Sequence, residues 1–261
     1  TAKELVSASL SEECKVAFTQ GNFNNHIGVP LTLLSMTHDH EIGVVEMGAS
    51  HPGEIAQLCA IAEPNFGLIT NIGKAHIEGF GSFENVKKTK GELYDYIREH
   101  DGKVFVNADN EMLLEMSDGM DRLLYGRNNL DLFASGTLSS ETPFLEFDWN
   151  FFEHSHHVKT HLVGEYNFDN ALAAVAIGKY FGINADSISD ALEAYQPKNN
   201  RSQFERTDYN DLIVDAYNAN PTSMMAAMDF FVKILTSLPK AVIICEMSEL
   251  GNISLEQHQK L

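Results

Sequence analysis

The sequence predicts an α/β fold with a central, mostly parallel β-sheet and helices on both of its faces. Three short apolar runs, at 41–50, 65–73 and 103–110, have the length and composition of buried strands. Helix-like segments separate these runs, and such alternation is typical of a parallel sheet because each parallel connection needs a crossover. Ligands of these sheets bind beyond the carboxyl ends of the strands. Functional residues are therefore expected in the segments that follow the three runs.

The helix predicted at 82–97 places a lysine on its apolar stripe. Lys90 comes four residues after Val86 and three before Leu93, so it shares their face. A charged lysine in a core must lose its proton, pair with an anion or be modified. The alternative is that its stem packs while the ammonium reaches water. Gly91 costs roughly 1 kcal/mol relative to Ala inside a helix, which a close neighbour on that side would explain.

Helical spacing also predicts helices at 1–10, where the chain opens, and at 52–62, which has Pro52 near its start. From 131 to 163 the pattern changes to that of a small β subdomain. Within it, alternating apolar and polar residues at 144–151 indicate an antiparallel strand with one exposed face. Helical spacing then returns in two further segments, 166–183 and 187–195.

A polar segment at 196–206, with Pro197 and paired asparagines, is predicted to link two domains. The first domain covers 1–198, and the second, covering 199–261, is the start of another α/β domain. Its predicted elements are a strand at 211–217, a helix at 223–235 and a strand at 241–245.

Composition excludes several classes of protein. The net charge of -19 argues against a nucleic-acid-binding surface, although local cations or backbone N–H groups still allow a phosphate ligand. The three cysteines are far apart and odd in number, which indicates a reducing compartment and hence the cytoplasm. No apolar run approaches the ~20 residues of a membrane-spanning helix, so no membrane insertion is expected.

Three candidate residues come from successive predicted βα units. Glu46 ends the first strand, where a carboxylate suits a metal or a water, although an ion pair or a helix cap is as consistent with the pattern. His76 follows the second strand, and a lone loop histidine is more often structural than a ligand. Together with Lys90 they come from successive βα units that open on one edge of the sheet. This grouping predicts a shared site.

Amide side chains mark three further candidates. The segment 21–30 is either a tight connection or a loop that offers N–H and C=O groups to a polar ligand. Asn167 and Asn170 lie three apart at a helix start, where they either cap the helix or contact a base edge. The segment 215–221 ends a strand with an acid, two amides and a proline, which fits a binding loop or a turn.

Seven motifs, in this order, resemble the Mur ligases. They are GNFNNHIGVPLTLL, VVEMGASHPGEI, TNIGKAHIEGFGS, KTKGEL, VNADN, YNFDNALAA and DAYNANPTSM. The resemblance is weakest at 111–163. It implies that 1–198 is the central ATP-binding domain, P-loop-NTPase-like and truncated at its N-terminus, and that 199–261 begins a Rossmann-like C-terminal ligase domain. It further implies that the family's N-terminal UDP-sugar domain is not part of these 261 residues.

The resemblance also implies residue roles. Glu46 and His76 match magnesium ligands, although histidine is unusual for a hard cation. Lys90 matches a lysine that is often carbamylated by CO2, and it would then be a metal ligand or support one; all three are implied catalytic residues. The implied nucleotide-binding residues are Asn167, Asn170, Arg201 and Asp215. The implied substrate-binding residues are Asn24, Asn25, Tyr217, Asn218 and Asn220.

Within the family, the GNxNNxIGxP and YNANP forms favour the enzyme that joins D-alanyl-D-alanine to UDP-N-acetylmuramoyl-tripeptide in peptidoglycan precursor synthesis. The implied chemistry uses ATP and Mg²⁺, forms an acyl phosphate and ADP, and ends with attack by the dipeptide amine. A monomer is expected. The alternatives are another amide ligase of the superfamily, such as folylpolyglutamate synthase, or a non-catalytic domain that binds a nucleotide or a muropeptide.

Two departures from the family pattern affect these expectations. The family's phosphate loop, GxxGKT, is expected just before Thr1, so this chain is predicted to be inactive by itself and to bind ATP weakly. Val214 stands where the family often has an acid beside the residue matched by Asp215.

Overall fold

The structure is a computed structural model, which describes residues 1–151, 154–198 and 200–261. Its helices are α1 (Ala2–Ser11), α2 (Gly28–Leu34), α3 (Glu54–Ala62), α4 (Ile77–Phe80), α5 (Phe83–Glu99), α6 (Glu111–Met116), α7 (Tyr166–Tyr180), α8 (Ala185–Ala194), α9 (Pro221–Lys233) and α10 (Ser254–Lys260). Its strands are β1 (Val16–Phe18), β2 (Ile42–Val44), β3 (Phe66–Leu68), β4 (Lys103–Asn107), β5 (Asp121–Arg127), β6 (Ala134–Ser140), β7 (Glu146–Phe151), β8 (His154–Lys159), β9 (Gln203–Arg206) and β10 (Asp211–Val214).

The central sheet has the order β3-β4-β5-β6-β7-β8. Strands β3 to β6 run parallel, and β7 and β8 continue the sheet in antiparallel fashion. The antiparallel strands predicted as a β subdomain therefore extend the parallel sheet, because β6 pairs with β5 on one side and β7 on the other. Strands β1 and β2 form a separate parallel pair.

Helices cover both faces of the central sheet, as the sequence predicts. Strand β4 shows the division, since Val104 and Val106 pack into one apolar cluster with residues of α5 and α6. Phe105 between them joins the opposite cluster, which contains residues of α1, α7 and α8. This alternation is the period-two pattern of a strand buried on both faces.

The segment after 202 begins with an antiparallel hairpin, β9 and β10, and continues with α9. The strand predicted at 211–217 is present in shortened form as β10, and the helix predicted at 223–235 is present as α9, which begins and ends two residues earlier. The strand predicted at 241–245 is wrong. A strand needs a hydrogen-bonded neighbour, and none of the described strands pairs with these residues. The run is not covered by other residues either, since the side chain of Ile243 is 95% exposed. Residue 199, at the predicted domain boundary, lies outside the described residues.

Among the described helices, none combines the length and apolar character that crossing a membrane requires.

Candidate active site

The loop after β1 folds back on itself at a glycine. A Cβ on Gly28 would lie 2.3 Å from the carbonyl carbon of Phe23, so the chain passes here too closely for a side chain. The Asn25 Oδ1 accepts hydrogen bonds from the backbone N–H of Ile27 at 3.1 Å and of Gly28 at 2.9 Å. Asn25 was predicted to lie near the substrate. Its side-chain oxygen instead holds the backbone that leads into α2, while its role toward a substrate stays a prediction.

The neighbouring asparagine reaches the end of the next strand. The Asn24 Nδ2 donates to the Glu46 Oε1 at 2.9 Å, and the Asn24 carbonyl accepts the N–H of Gly48 at 2.7 Å. A Cβ on Gly48 would lie 2.8 Å from the Asn24 Nδ2, so glycine permits this approach. The Glu46 N–H donates to the Thr19 Oγ1 at 2.9 Å. A predicted substrate residue and a predicted metal ligand are thus in direct contact.

A second group that binds Glu46 was not predicted from the sequence. The Lys3 Nζ lies 3.7 Å from the Glu46 Oε2 and donates to the Gly21 carbonyl at 2.9 Å. Sequence reasoning assigned 1–10 only to a helix. The signal that was missed is a lysine in the same first turns as the core residues Leu5 and Val6.

Lys90 lies on α5 beside the loop that follows β3. Its Nζ donates to the Asn71 carbonyl at 3.0 Å, and burial lowers the pKa of the ammonium. Burial thus favours the neutral amine, which reaction with CO2 requires, while the carbamate itself stays a prediction. The close neighbour expected at Gly91 is Met116, whose Cε would lie 3.1 Å from an added Cβ.

His76 is held by a residue of the second segment, residues 200–261, which follows the first segment, residues 1–198. It has a positive φ of 54° and precedes α4. Its Nδ1 contacts the Glu249 Oε2, and the Glu249 carbonyl accepts the N–H of Glu78 at 3.1 Å. Sequence reasoning did not single out Glu249, which lies four residues beyond the apolar run at 241–245 and so lacks the strand-end position that identified Glu46.

No hydrogen bond or ion pair of the described residues joins Glu46, His76 and Lys90 to one another. The described residues also contain no group of three or more His, Cys, Asp or Glu side chains placed to hold a metal ion. The chemistry at Glu46 nevertheless fits Mg²⁺, since carboxylate oxygens are the ligands it prefers and this side chain is one-third exposed. An ammonium has no free electron pair, so Lys90 becomes an oxygen ligand only as a carbamate. The shared site of the three residues stays a prediction.

The two asparagines of α7 contact each other. Asn167 is 2% exposed, its Nδ2 donates to the Val163 carbonyl at 2.9 Å, and its Oδ1 accepts from the Asn170 Nδ2 at 3.1 Å. The capping alternative is wrong, because the residue before α7 is Glu165 and no side chain caps that end. A contact with the adenine stays a prediction.

The linker segment 196–206 leads into a second cluster. The guanidinium of Arg201 stacks 3.6 Å from the ring centre of Tyr217, so a predicted nucleotide residue is a neighbour of a predicted substrate residue. The Asp215 Oδ1 accepts the N–H of Ser202 at 3.3 Å, and the Ser202 hydroxyl lies 2.5 Å from the Tyr166 hydroxyl. Two predicted nucleotide residues, Arg201 and Asp215, are therefore held beside the linker.

The remaining predicted substrate residues lie just before α9. Asn218 is exposed. Asn220 begins a capping box, since its side chain accepts the N–H of Ser223 at 3.0 Å and the Ser223 Oγ accepts the N–H of Asn220 at 3.3 Å. The side chain of Asn220 is thus engaged in the helix start, and its role toward a dipeptide stays a prediction.

Comparison with known proteins gives one family. The family model described as the Mur ligase middle domain matches residues 1–178. The chain is similar to the UDP-N-acetylmuramoyl-tripeptide–D-alanyl-D-alanine ligase of Bacillus subtilis (strain 168), with 34% identity over 261 residues that cover 100% of this chain and 56% of the relative. The chain therefore spans a little more than half the length of this curated relative.

Solved structures agree with this. A crystal structure of MurF from Acinetobacter baumannii superposes with a TM-score of 0.89 and 30% identity, covering 99% of this chain and 57% of that chain. MurF ligase from Thermotoga maritima, solved in complex with ADP, superposes with a TM-score of 0.85 and 26% identity, covering 99% and 60%. The likeness extends through the segment after residue 178, which the family model does not match.

Proposed function

Since this chain belongs to the Mur ligase family through its match at 1–178, we propose that it forms the ATP-binding centre and adjoining C-terminal segment of an ADP-forming ligase. The proposed enzyme adds D-alanyl-D-alanine to UDP-N-acetylmuramoyl-tripeptide. ATP phosphorylates the peptide carboxylate, and the dipeptide amine attacks the resulting acyl phosphate and releases phosphate. The observation that carries this proposal is 34% identity across the whole chain to a relative with that name.

The contact between Asn24 and Glu46 supports a site shared by two ligands. The loop proposed to meet the muropeptide donates to the carboxylate proposed to meet the metal. The two ligands would therefore lie side by side, as transfer of a phosphoryl group to a peptide carboxylate requires. Glu46, and Lys90 once carbamylated, would hold Mg²⁺. The bound ion would neutralise charge on the phosphoryl group being transferred.

The nucleotide would lie between α7 and the linker segment. Asn167 and Asn170 would contact the adenine, while Arg201 and Asp215 would reach the nucleotide from the other side. A base stacked near Arg201 would compete with Tyr217 for the guanidinium face, since both offer a π surface. Release of Tyr217 toward the incoming dipeptide would then accompany nucleotide binding. Closure of the second segment would exclude water, which hydrolyses acyl phosphates.

Calorimetric titration with Mg-AMPPNP tests the nucleotide part of this proposal. The titration uses the 261-residue chain and a form extended upstream of Thr1 toward the length of the relatives. Binding to the extended form supports the proposal. Binding to neither form would contradict it and favour a muropeptide-binding role without turnover.

Phosphate release with different amines tests the acceptor. In the extended form, release that depends on both the muropeptide and D-alanyl-D-alanine supports the proposed reaction. Release that depends instead on glutamate and a folate would assign the chain to folylpolyglutamate synthesis.

Native mass measurement with and without bicarbonate tests whether Lys90 is carbamylated. Lys90→Arg, which keeps the charge but forms no carbamate, serves as its control.

A further inference from the structure

The Lys3 ammonium is buried beside the proposed metal ligand. Its side chain is 7% exposed, and burial of a full charge is costly unless an opposite charge and hydrogen bonds compensate it. The Glu46 carboxylate, 3.7 Å away, and the Gly21 carbonyl, 2.9 Å away, supply both kinds of compensation. The first turn of α1 is thereby attached to the end of β2 and to the loop that follows β1.

The same carboxylate is held from its other side. Its Oε1 accepts from the Asn24 side chain at 2.9 Å, so each oxygen has one donor or cation from this chain. Asn24 and Gly21 belong to one loop, which means that Lys3 and Glu46 hold both the start of the loop and its middle. Changing the position of one of these groups must therefore move the others.

We propose that Lys3 is a positioning residue that fixes the Glu46 carboxylate and the 21–25 loop in one arrangement. Its cation offsets the carboxylate charge on the buried side, and the exposed third of Glu46 is left to face a ligand. The role assigned to that ligand rests on the proposed function. The positioning itself concerns only this chain and is tested without nucleotide or substrate.

Amide hydrogen exchange of the 261-residue chain measures the positioning. The reporter is the Gly48 N–H, which donates to the Asn24 carbonyl at 2.7 Å. Lys3→Met is expected to speed its exchange about tenfold or more, the effect of losing a hydrogen-bonded charge partner. The double variant of Lys3→Met with Glu46→Gln is expected to exchange no faster than Lys3→Met alone, because Lys3→Met has already removed the charge pair and glutamine keeps an oxygen that accepts from Asn24. Unchanged exchange in Lys3→Met, or additive effects, would overturn the proposal.

Lys179→Met is the matched control. Lys179 is also partly buried and donates to a backbone carbonyl, that of Phe133 at 2.5 Å, but it lies on α7 and its ammonium packs over the rings of Phe133 and Phe151. Lys179→Met is expected to lower the unfolding temperature while leaving the exchange of the Gly48 N–H unchanged. The NMR resonances of the Asn24 side-chain amide should shift in Lys3→Met and stay in place in Lys179→Met. A shift of equal size in both variants would show a general loss of stability and contradict the proposal.

Acetylation of lysines gives an answer even where Lys3→Met does not fold. Glu46→Gln keeps the side-chain shape but removes the charge, so Lys3 should become several-fold more reactive while Lys179 stays the same. Equal reactivity of Lys3 in the Glu46→Gln variant and in the unsubstituted protein would overturn the proposal. These outcomes are independent of the calorimetry with Mg-AMPPNP, so the positioning and the proposed ligase function can fail separately.

Discussion

Replacing Arg127 by methionine tests how the end of β5 supports the start of α7. The Arg127 Nε donates to the Asp169 Oδ1 at 3.0 Å, and its Nη1 donates to Glu165. The guanidinium also lies 5.1 Å from the ring centre of Phe168. These partners flank Asn167, one of the two asparagines proposed to contact adenine.

The loss of unfolding free energy in Arg127→Met can be worked out from the exposed fractions of Arg127 and its partners. The side chain of Arg127 is 26% exposed and its two carboxylate partners are 37% and 38% exposed. Each pair should therefore contribute about 0.5–1 kcal/mol, the upper part of the range for exposed pairs. The contact with the ring adds about 0.5 kcal/mol. Methionine keeps most of the packing of the stem, so the loss is about 2 kcal/mol, or about 4–8 °C in the unfolding temperature.

Fluorescence of Trp149 is a suitable readout because the chain has one tryptophan, and it lies in the same apolar cluster as Phe168. Arg206→Met is the matched control. Arg206 pairs with Asp211 at 2.8 and 3.0 Å, but its side chain is 73% exposed, so no measurable shift is expected. A shift below about 1 °C in Arg127→Met, or an equal shift in both variants, would refute the argument from burial.

The stability lost in Arg127→Met should depend on pH with a definite sign. The hydrogen bond from Arg127 holds the pKa of Glu165 below its ordinary value of 4.5. A depressed carboxyl pKa adds stability above the unfolded value, and this stability is lost as pH falls through the folded pKa. Burial raises the pKa of Asp169, and Arg127 opposes that rise. The difference between the two proteins should therefore be full at pH 7 and shrink as pH falls below 4.5. A constant difference would contradict the pairing.

Three further predictions concern the loop, the linker segment and the thiols. Gly28→Ala should unfold the loop after β1, because its Cβ would lie 2.3 Å from the backbone of Phe23, and faster amide exchange across 21–30 would show it. Tyr166→Phe removes the hydroxyl contact to Ser202 and should speed tryptic cleavage within the linker segment. Cys59 is fully buried, and burial raises the pKa of its thiol to about 11, so it should be the last of the three thiols to react with iodoacetamide at pH 8.

Strands and helices were predictable where the hydrophobic pattern of a segment was typical of one kind of secondary structure. The buried runs at 65–73 and 103–110 became β3 and β4, and the helical stripe at 82–97 became α5. The apolar run at 241–245 has the same composition, yet it forms no strand, because composition cannot show whether a hydrogen-bonded partner is present. Periodicity also left open that β7 and β8 continue the central sheet, since it does not show that β6 pairs in parallel with β5 across a connection of only six residues.

The candidate site was predictable only residue by residue. Glu46 and Lys90 were identified from residue type and position, and Asn24 from the family resemblance, but their partners come from distant segments. Lys3 reaches Glu46 from a helix more than forty positions earlier, and Lys90 donates to a backbone carbonyl that every residue possesses. Sequence patterns carry no information about such pairs.

The second segment meets the site at the loop after β3, which bears on how its closure should be observed. Sequence reasoning placed the nucleotide contacts of this segment at Arg201 and Asp215. The structure adds two contacts nearer the loop, between Glu249 and His76 and between the Thr222 hydroxyl and the Lys74 N–H at 3.4 Å. A displacement of the second segment must break or remake both of them. The loop that carries His76 should thus report closure directly, whereas the pair of Asn24 and Glu46 should keep its geometry, because both of those residues lie in the first segment.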